Sequence, residues 1–185
     1  AVRRGRYYRH DMTTDFYNLL LSDCGLAVVL LGLFWYLEHI SRGLRGIALW
    51  GAAHLTYSLG AAMLDGTTRQ LENLGDWHSA FWVAGTGGLL ACAGLVGLAW
   101  SIVLFVGQRP LRLYEWALMP LCLGFSLVGW WFWGTVDAQG AAMSATEVLV
   151  LLVLIGHLRH LNTAPDHVPA RLMMLGCAVL LVLYG

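Results

Sequence analysis

The amino-acid sequence predicts an all-α protein, a polytopic bundle of transmembrane helices. Three observations predict this fold class. The mean hydropathy is +0.65 and 58% of the residues are hydrophobic. Only 12% of the 185 residues are charged, whereas soluble domains carry roughly 25%. Six apolar runs also approach the length of about 20 residues that a helix needs to cross a bilayer.

Polar or proline-containing segments separate the six runs. These cover residues 16–40, 47–64, 78–106, 113–133, 143–158 and 172–185. The last run is too short to cross a bilayer comfortably, so we expect five full spans and a truncated sixth, in a fragment of a longer protein. Residues 1–11 are polar and basic, and they are interpreted as an arm or extension that precedes a transmembrane domain of residues 12–185.

Arginine placement predicts the orientation of the bundle. Arginines follow the first, third and fifth runs at Arg42, Arg45, Arg109, Arg112, Arg159 and Arg171. The loops after the second and fourth runs carry one arginine, Arg69, among several acids. Cytoplasmic loops are enriched in Arg and Lys, so a chain that starts at Met12 has its N-terminus outside. If residues 1–11 belong to the protein, their four arginines make the count six to five, and arginine placement no longer predicts the orientation. Nucleic acid is not an expected partner, because no basic patch occurs after the first nine residues.

His54 is the clearest ionisable residue inside a predicted span. Such residues are costly in a membrane and suggest function by default, so His54 is a candidate ligand for a metal or for haem b. An axial histidine pair would need a second His at a similar depth, and no other run offers one. The alternative is a neutral histidine that is hydrogen-bonded within the bundle.

A second candidate site is an outward-facing ligand pocket. Glu147 lies about one turn below the outer end of the fifth run, and His78, Trp82 and Trp131 belong to the same predicted interface. The alternative is an interfacial Glu147 that is protonated or reaches water. Tryptophans at both ends of the runs match the aromatic belts of membrane proteins.

Other polar and small residues have structural interpretations. Glu38 and Glu115, near the inner edge, are expected to pair with Arg42 and Arg112 or to face water. In the third run, small residues recur at a spacing that lets another helix approach closely, at Gly87, Ala91, Ala93 and Gly97. The single cysteines are interpreted as core residues, and no catalytic motif is present, so no catalytic residue is assigned to this chain.

Two stretches resemble a known family. They are SRGLRGIALWGAAHLTYSLGAAMLDG at residues 41–66 and FWVAGTGGLLACAGLVGLAWSIVLFVGQRP at residues 81–110. Arg, Trp, Gly and Pro at the membrane boundaries are similar to the N-terminal membrane region of bacterial diguanylate cyclases with a C-terminal GGDEF domain. The resemblance implies a sensory module in the bacterial inner membrane that regulates cyclic-di-GMP synthesis. In that membrane, the N-terminus that arginine placement predicts to lie outside is periplasmic. The GGDEF motif itself is absent from these residues.

Another hypothesis is an accessory or haem-holding subunit of a respiratory or photosynthetic membrane complex. His54, the glycine-rich packing faces and the many tryptophans are equally compatible with it. The expected partners are the lipid bilayer and either a second copy of this chain or other membrane subunits. A small transporter is disfavoured, since broken helices and inverted repeats are not evident in the sequence.

Overall fold

The computed structural model describes residues 2–40, 46–107, 109–133 and 136–161. Every regular element in these ranges is helical, which confirms the predicted all-α class. In chain order they are α1 (Val2–Ile40), α2 (Ile47–Ala61), a π-helical segment (Ala62–Thr68), α3 (Arg69–Leu74), α4 (Trp77–Gly107), α5 (Leu113–Trp133) and α6 (Val136–Leu161).

Several helices have the length and composition of membrane spans. Among the described residues, four stretches qualify, namely Ile47–Leu74, Trp77–Val106, Leu113–Phe132 and Gln139–His157. A shorter apolar stretch, Cys24–Ile40, lies in α1. The predicted sixth run, residues 172–185, lies outside the described residues, so the count of five full spans and a truncated sixth stays a prediction.

Two helices begin earlier than their apolar runs suggest. α1 is one helix of 39 residues from Val2, about 58 Å long at 1.5 Å per residue. The proposed boundary at Met12 therefore does not coincide with a break in the helix. α6 begins at Val136 rather than at residue 143, so polar residues that we assigned to a loop form its first turns.

α2 and α4 pack through small residues. A Cβ atom added to Gly60 would lie 2.4 Å from the backbone nitrogen of Ala91 and 2.6 Å from the carbonyl oxygen of Gly87. One added to Gly97 would lie 2.8 Å from the Cβ of Ala53. The small residues of the third run therefore pack inside this bundle, where they allow two backbones to approach closely.

α4 also contacts α5 and α6, and the three helices share the largest buried cluster. Its members are Val96, Ala99, Trp100, Val103, Leu118, Cys122, Val150 and Leu154. Because lipid is as apolar as these side chains, close van der Waals packing rather than escape from water favours their contact. Cys122 is fully buried, and so is Cys92, as the interpretation of single cysteines as core residues predicts.

The connection between α3 and α4 is a tight polar turn. Gly75 has a φ of 79°, a left-handed conformation that glycine adopts without steric cost at the end of a helix. The backbone N–H of Ser79 then donates to the Asp76 carboxylate at 3.2 Å, which caps the start of α4. Hydrogen bonds from the Ser79 side chain and backbone lower the pKa of Asp76.

Candidate functional site

Three charged or ionisable side chains meet where α4 ends, α5 begins and α6 ends. We call Arg109, Glu115 and His157 the inner ionic cluster. The guanidinium of Arg109 donates one hydrogen bond to each carboxylate oxygen of Glu115, at 2.9 Å and 2.5 Å. The backbone N–H of Arg112 donates to the same carboxylate at 2.6 Å. Glu115 is only 1% exposed, so this is a buried, bidentate and charge-assisted contact.

Local sequence explains how Glu115 reaches this position. Pro110 interrupts the chain after α4, and its carbonyl oxygen accepts a hydrogen bond from Arg109 at 2.9 Å. Glu115 then lies in the first turn of α5, where the helix dipole favours an acid. On the α4 side, the indole nitrogen of Trp100 donates to the backbone carbonyl of Glu115 at 2.8 Å, and its ring packs on Trp116.

His157 joins the cluster from α6. Its Nδ1 atom lies 3.3 Å from the Arg109 guanidinium and 4.0 Å from a carboxylate oxygen of Glu115. A neutral ring can accept from Arg109 at this atom, whereas a protonated ring is repelled by Arg109 and attracted by Glu115. The hydrogen bonds from Arg109 to Glu115 raise the pKa of Arg109, so the guanidinium keeps its charge in either state.

The expected pairing of Glu115 needs correction, whereas that of Glu38 with Arg42 stays a prediction. Glu115 pairs with the side chain of Arg109 rather than that of Arg112, because the turn at Pro110 brings Arg109 over the first turn of α5, and it does not face water. Glu38 accepts a hydrogen bond from the backbone N–H of Ala48 at 2.7 Å, which caps the start of α2. Its expected partner Arg42 lies outside the described residues.

His54 lies in α2 beside an aromatic pair. Its ring stacks on Trp50, with 5.7 Å between ring centroids and 8° between ring planes, and Phe34 meets the same indole edge-on at 5.0 Å. Among the described residues, no group of three His, Cys, Asp or Glu side chains is placed to hold a metal ion. Haem or metal binding at His54 therefore stays a prediction that rests on the sequence.

The aromatic residues at the opposite end form a cluster of three rings, Phe81, Trp82 and Trp130. The Trp82 and Trp130 rings meet at 5.2 Å in an edge-to-face arrangement. The Trp130 indole donates to the carbonyl oxygen of Phe81 at 2.9 Å and lies over Gly85. The sequence places Trp130 at the predicted outer interface, but the predicted site residues include its neighbour Trp131 instead. Adjacent residues on a helix point about 100° apart, so only one of Trp130 and Trp131 can face the bundle.

The remaining residues of the predicted outer pocket are dispersed over that end. His78 is exposed in the first turn of α4, and Glu147 is half-buried in α6. Trp131 is 78% exposed, as expected of a ring at the lipid interface. Trp82 is thus the one predicted residue that enters the described ring cluster, and the outward-facing pocket stays a prediction.

A buried amide joins α6 to α4 and α5. Gln139 is fully buried; its side-chain oxygen accepts from the Ser126 hydroxyl at 3.0 Å and its nitrogen donates to the Ser126 carbonyl at 3.3 Å. Gly88 leaves the room for it, since a Cβ there would meet the Gln139 oxygen. We missed Gln139 because it lies in the polar segment that we assigned to a loop.

Gly88→Ala should destabilise the protein much more in the wild type than in a Gln139→Ala background. The added methyl group collides with the Gln139 amide, and overpacking costs about 1–3 kcal/mol. Removing the amide first leaves the Ser126 hydroxyl as the nearest remaining neighbour, 3.0 Å away. A double-mutant cycle on the free energy of unfolding measures this coupling. Additive losses would contradict the packing of Gln139 over Gly88.

Comparison with known proteins does not identify this chain. Searches against protein-family models, curated proteins and solved structures found no match.

Proposed function

We propose that this chain is the membrane-embedded signal-input module of a bacterial sensory protein. In this proposal the N-terminus is periplasmic, the arginine-bearing loops are cytoplasmic, and α1 is one of five full spans in the inner membrane. A sixth begins near residue 172. The output is a cytoplasmic domain that makes cyclic-di-GMP. The resemblance of residues 41–66 and 81–110 to the membrane regions of diguanylate cyclases supports this choice.

The inner ionic cluster is the observation that carries the proposal. Buried charges in a membrane protein are costly and suggest function by default. This cluster connects the end of α6 to the start of α5 and to the α4–α5 loop. All three lie at the end that arginine counting assigns to the cytoplasm. A signal that shifts these helices would reach the chain beyond α6 through this contact.

In this proposal the cluster changes between two discrete arrangements, and the structure shows one of them. In one, Arg109 bridges Glu115 and His157, which holds α6 against α5. In the other, His157 leaves Arg109 and the end of α6 moves away. Packed helices change between such arrangements by small shifts rather than by continuous deformation. A device of this kind suits signal transmission.

The test uses the complete reading frame that contains these residues. We expect it to encode a cyclase after residue 185, and Glu115→Gln to change cellular cyclic-di-GMP several-fold at an equal amount of protein in the membrane. The matched control is Asp65→Asn, which alters an exposed ion pair with Arg69 at the opposite end and should leave the level unchanged. A frame without an output domain would overturn the proposal, and so would an unchanged level in the Glu115 variant.

The protein purified from the same cells tests the cofactor-holding alternative. An absorbance peak in the haem Soret region that disappears in His54→Ala would favour a haem-holding subunit. Copurification of the chain with fixed membrane subunits would point to the same alternative. Neither result is expected of a signal-input module.

A further inference from the structure

An apolar pocket lies between the first turn of α2 and the last two turns of α4. Its volume is about 190 Å³. The lining residues are Gly46, Ile47, Trp50, Ser101, Ile102 and Phe105. None of them belongs to the inner ionic cluster or to the outer ring cluster.

The walls of the pocket are fixed by tight local packing. Gly46 has a φ of 91°, and a Cβ there would lie 2.9 Å from the Cβ of Leu104, so glycine lets the start of α2 contact α4. The Trp50 ring is held between Phe34 and His54. The Ser101 hydroxyl donates to the Leu98 carbonyl of its own helix at 2.6 Å. The pocket surface is therefore nearly all hydrocarbon.

Both walls belong to stretches that can cross a membrane, Ile47–Leu74 and Trp77–Val106. Phe105, at the rim, is 43% exposed, so the pocket opens towards the surroundings of the bundle. A charged or strongly polar ligand would lose its hydrogen bonds to water there. An apolar cavity of about 150 Å³ can hold a benzene molecule, so this pocket has room for a short segment of a hydrocarbon chain.

We propose that this pocket binds the acyl chain of a membrane lipid. The bilayer supplies this ligand, and the pocket lies at the arginine-flanked ends of both spans, near Ile47 and Val106, so the methylene groups close to the headgroup are the part of the chain that it would take. Occupied, the pocket holds the end of α4 against the start of α2 through dispersion contacts with the chain.

The pocket is also connected to the inner ionic cluster. Ser101 and Ile102 form its α4 wall, and the preceding residue, Trp100, donates to the backbone of Glu115. A chain that enters or leaves the pocket would shift α4 and, with it, Trp100 and Glu115. This second step rests on the proposed function, whereas acyl-chain binding does not.

Photolabelling tests the binding. The chain is reconstituted in phosphatidylcholine nanodiscs with a trace of phosphatidylcholine that carries a diazirine on one acyl chain, close to the headgroup. After illumination, labelled residues are mapped by mass spectrometry. We expect labelling at residues 47–50 and 101–105 to exceed that around Leu113, which is exposed on α5 and begins its span at the same end of the bundle. Ile102→Trp should fill the pocket and reduce the labelling at residues 47–50 at least five-fold, and Ile47→Trp should do the same for residues 101–105.

Leu113→Trp is the matched control, because it adds the same ring to an exposed position at the same end of the bundle and should leave the pocket labelling unchanged. Equal labelling of the pocket and of the surface around Leu113 would mean random lipid contact only and would overturn the proposal. Labelling that survives in both filled variants, each with an unfolding midpoint close to wild type, would do the same. If the pocket is labelled as expected but Glu115→Gln leaves the cyclic-di-GMP level unchanged, the proposed function alone is overturned.

Discussion

Replacing Glu115 with Ala should lower the free energy of unfolding by about 2–4 kcal/mol. The change removes the acceptor of both Arg109 hydrogen bonds and of the Arg112 N–H. Breaking a buried pair from one side leaves an uncompensated charge, which typically costs 3–5 kcal/mol. We expect a smaller loss of stability for Glu115→Ala than this typical cost, because the Arg109 side chain is 24% exposed and can recover part of its hydration.

The effect can be measured by titrating the protein in mild-detergent micelles with dodecyl sulfate while following helix content. Asp65→Ala is the control, since Asp65 and its partner Arg69 both have exposed side chains, and their nitrogen and oxygen atoms are 3.4 Å apart. Exposed pairs contribute at most about 1 kcal/mol. Glu115→Gln keeps the shape and an acceptor for the Arg112 N–H, so we expect a smaller loss than for Ala. Equal losses for Glu115→Ala and Asp65→Ala would refute the burial of the cluster.

Gly60→Ala is the other change with a large expected effect, a loss of about 3 kcal/mol. The new methyl group would meet the backbone of Ala91 and of Gly87, both within 2.6 Å. Backbone atoms cannot rotate away as the end of a side chain can, so α2 and α4 must separate. The same unfolding titration measures this loss.

Gly124→Ala provides the matched control in α5. No atom lies within 4 Å of a Cβ added there, so the substitution gains only the better helix propensity of alanine, up to about 1 kcal/mol. Gly60→Ala should therefore lower the free energy of unfolding, whereas Gly124→Ala should raise it. If Gly60→Ala were as stable as the wild type, the close approach of α2 and α4 would be wrong.

The sequence by itself determined the class of the protein and most of its helix boundaries. The predicted fourth run coincides with α5 (Leu113–Trp133), and the third differs from α4 (Trp77–Gly107) by one residue at each end. This succeeds because a bilayer leaves few options: a backbone at membrane depth must satisfy its own hydrogen bonds, and a span needs a minimum apolar length. Where polar residues begin a helix, as in α6, that rule gives no boundary.

The tertiary structure alone decided which side chains meet. Arg109 pairs with Glu115, Trp130 rather than Trp131 enters the ring cluster, and Gln139 is buried. In a soluble protein, an apolar stripe marks the face of a helix that turns inwards. These helices are apolar towards lipid as well as towards each other, so the residue pattern does not reveal their inner face. Only the packing of α4 against α2, α5 and α6 defines it.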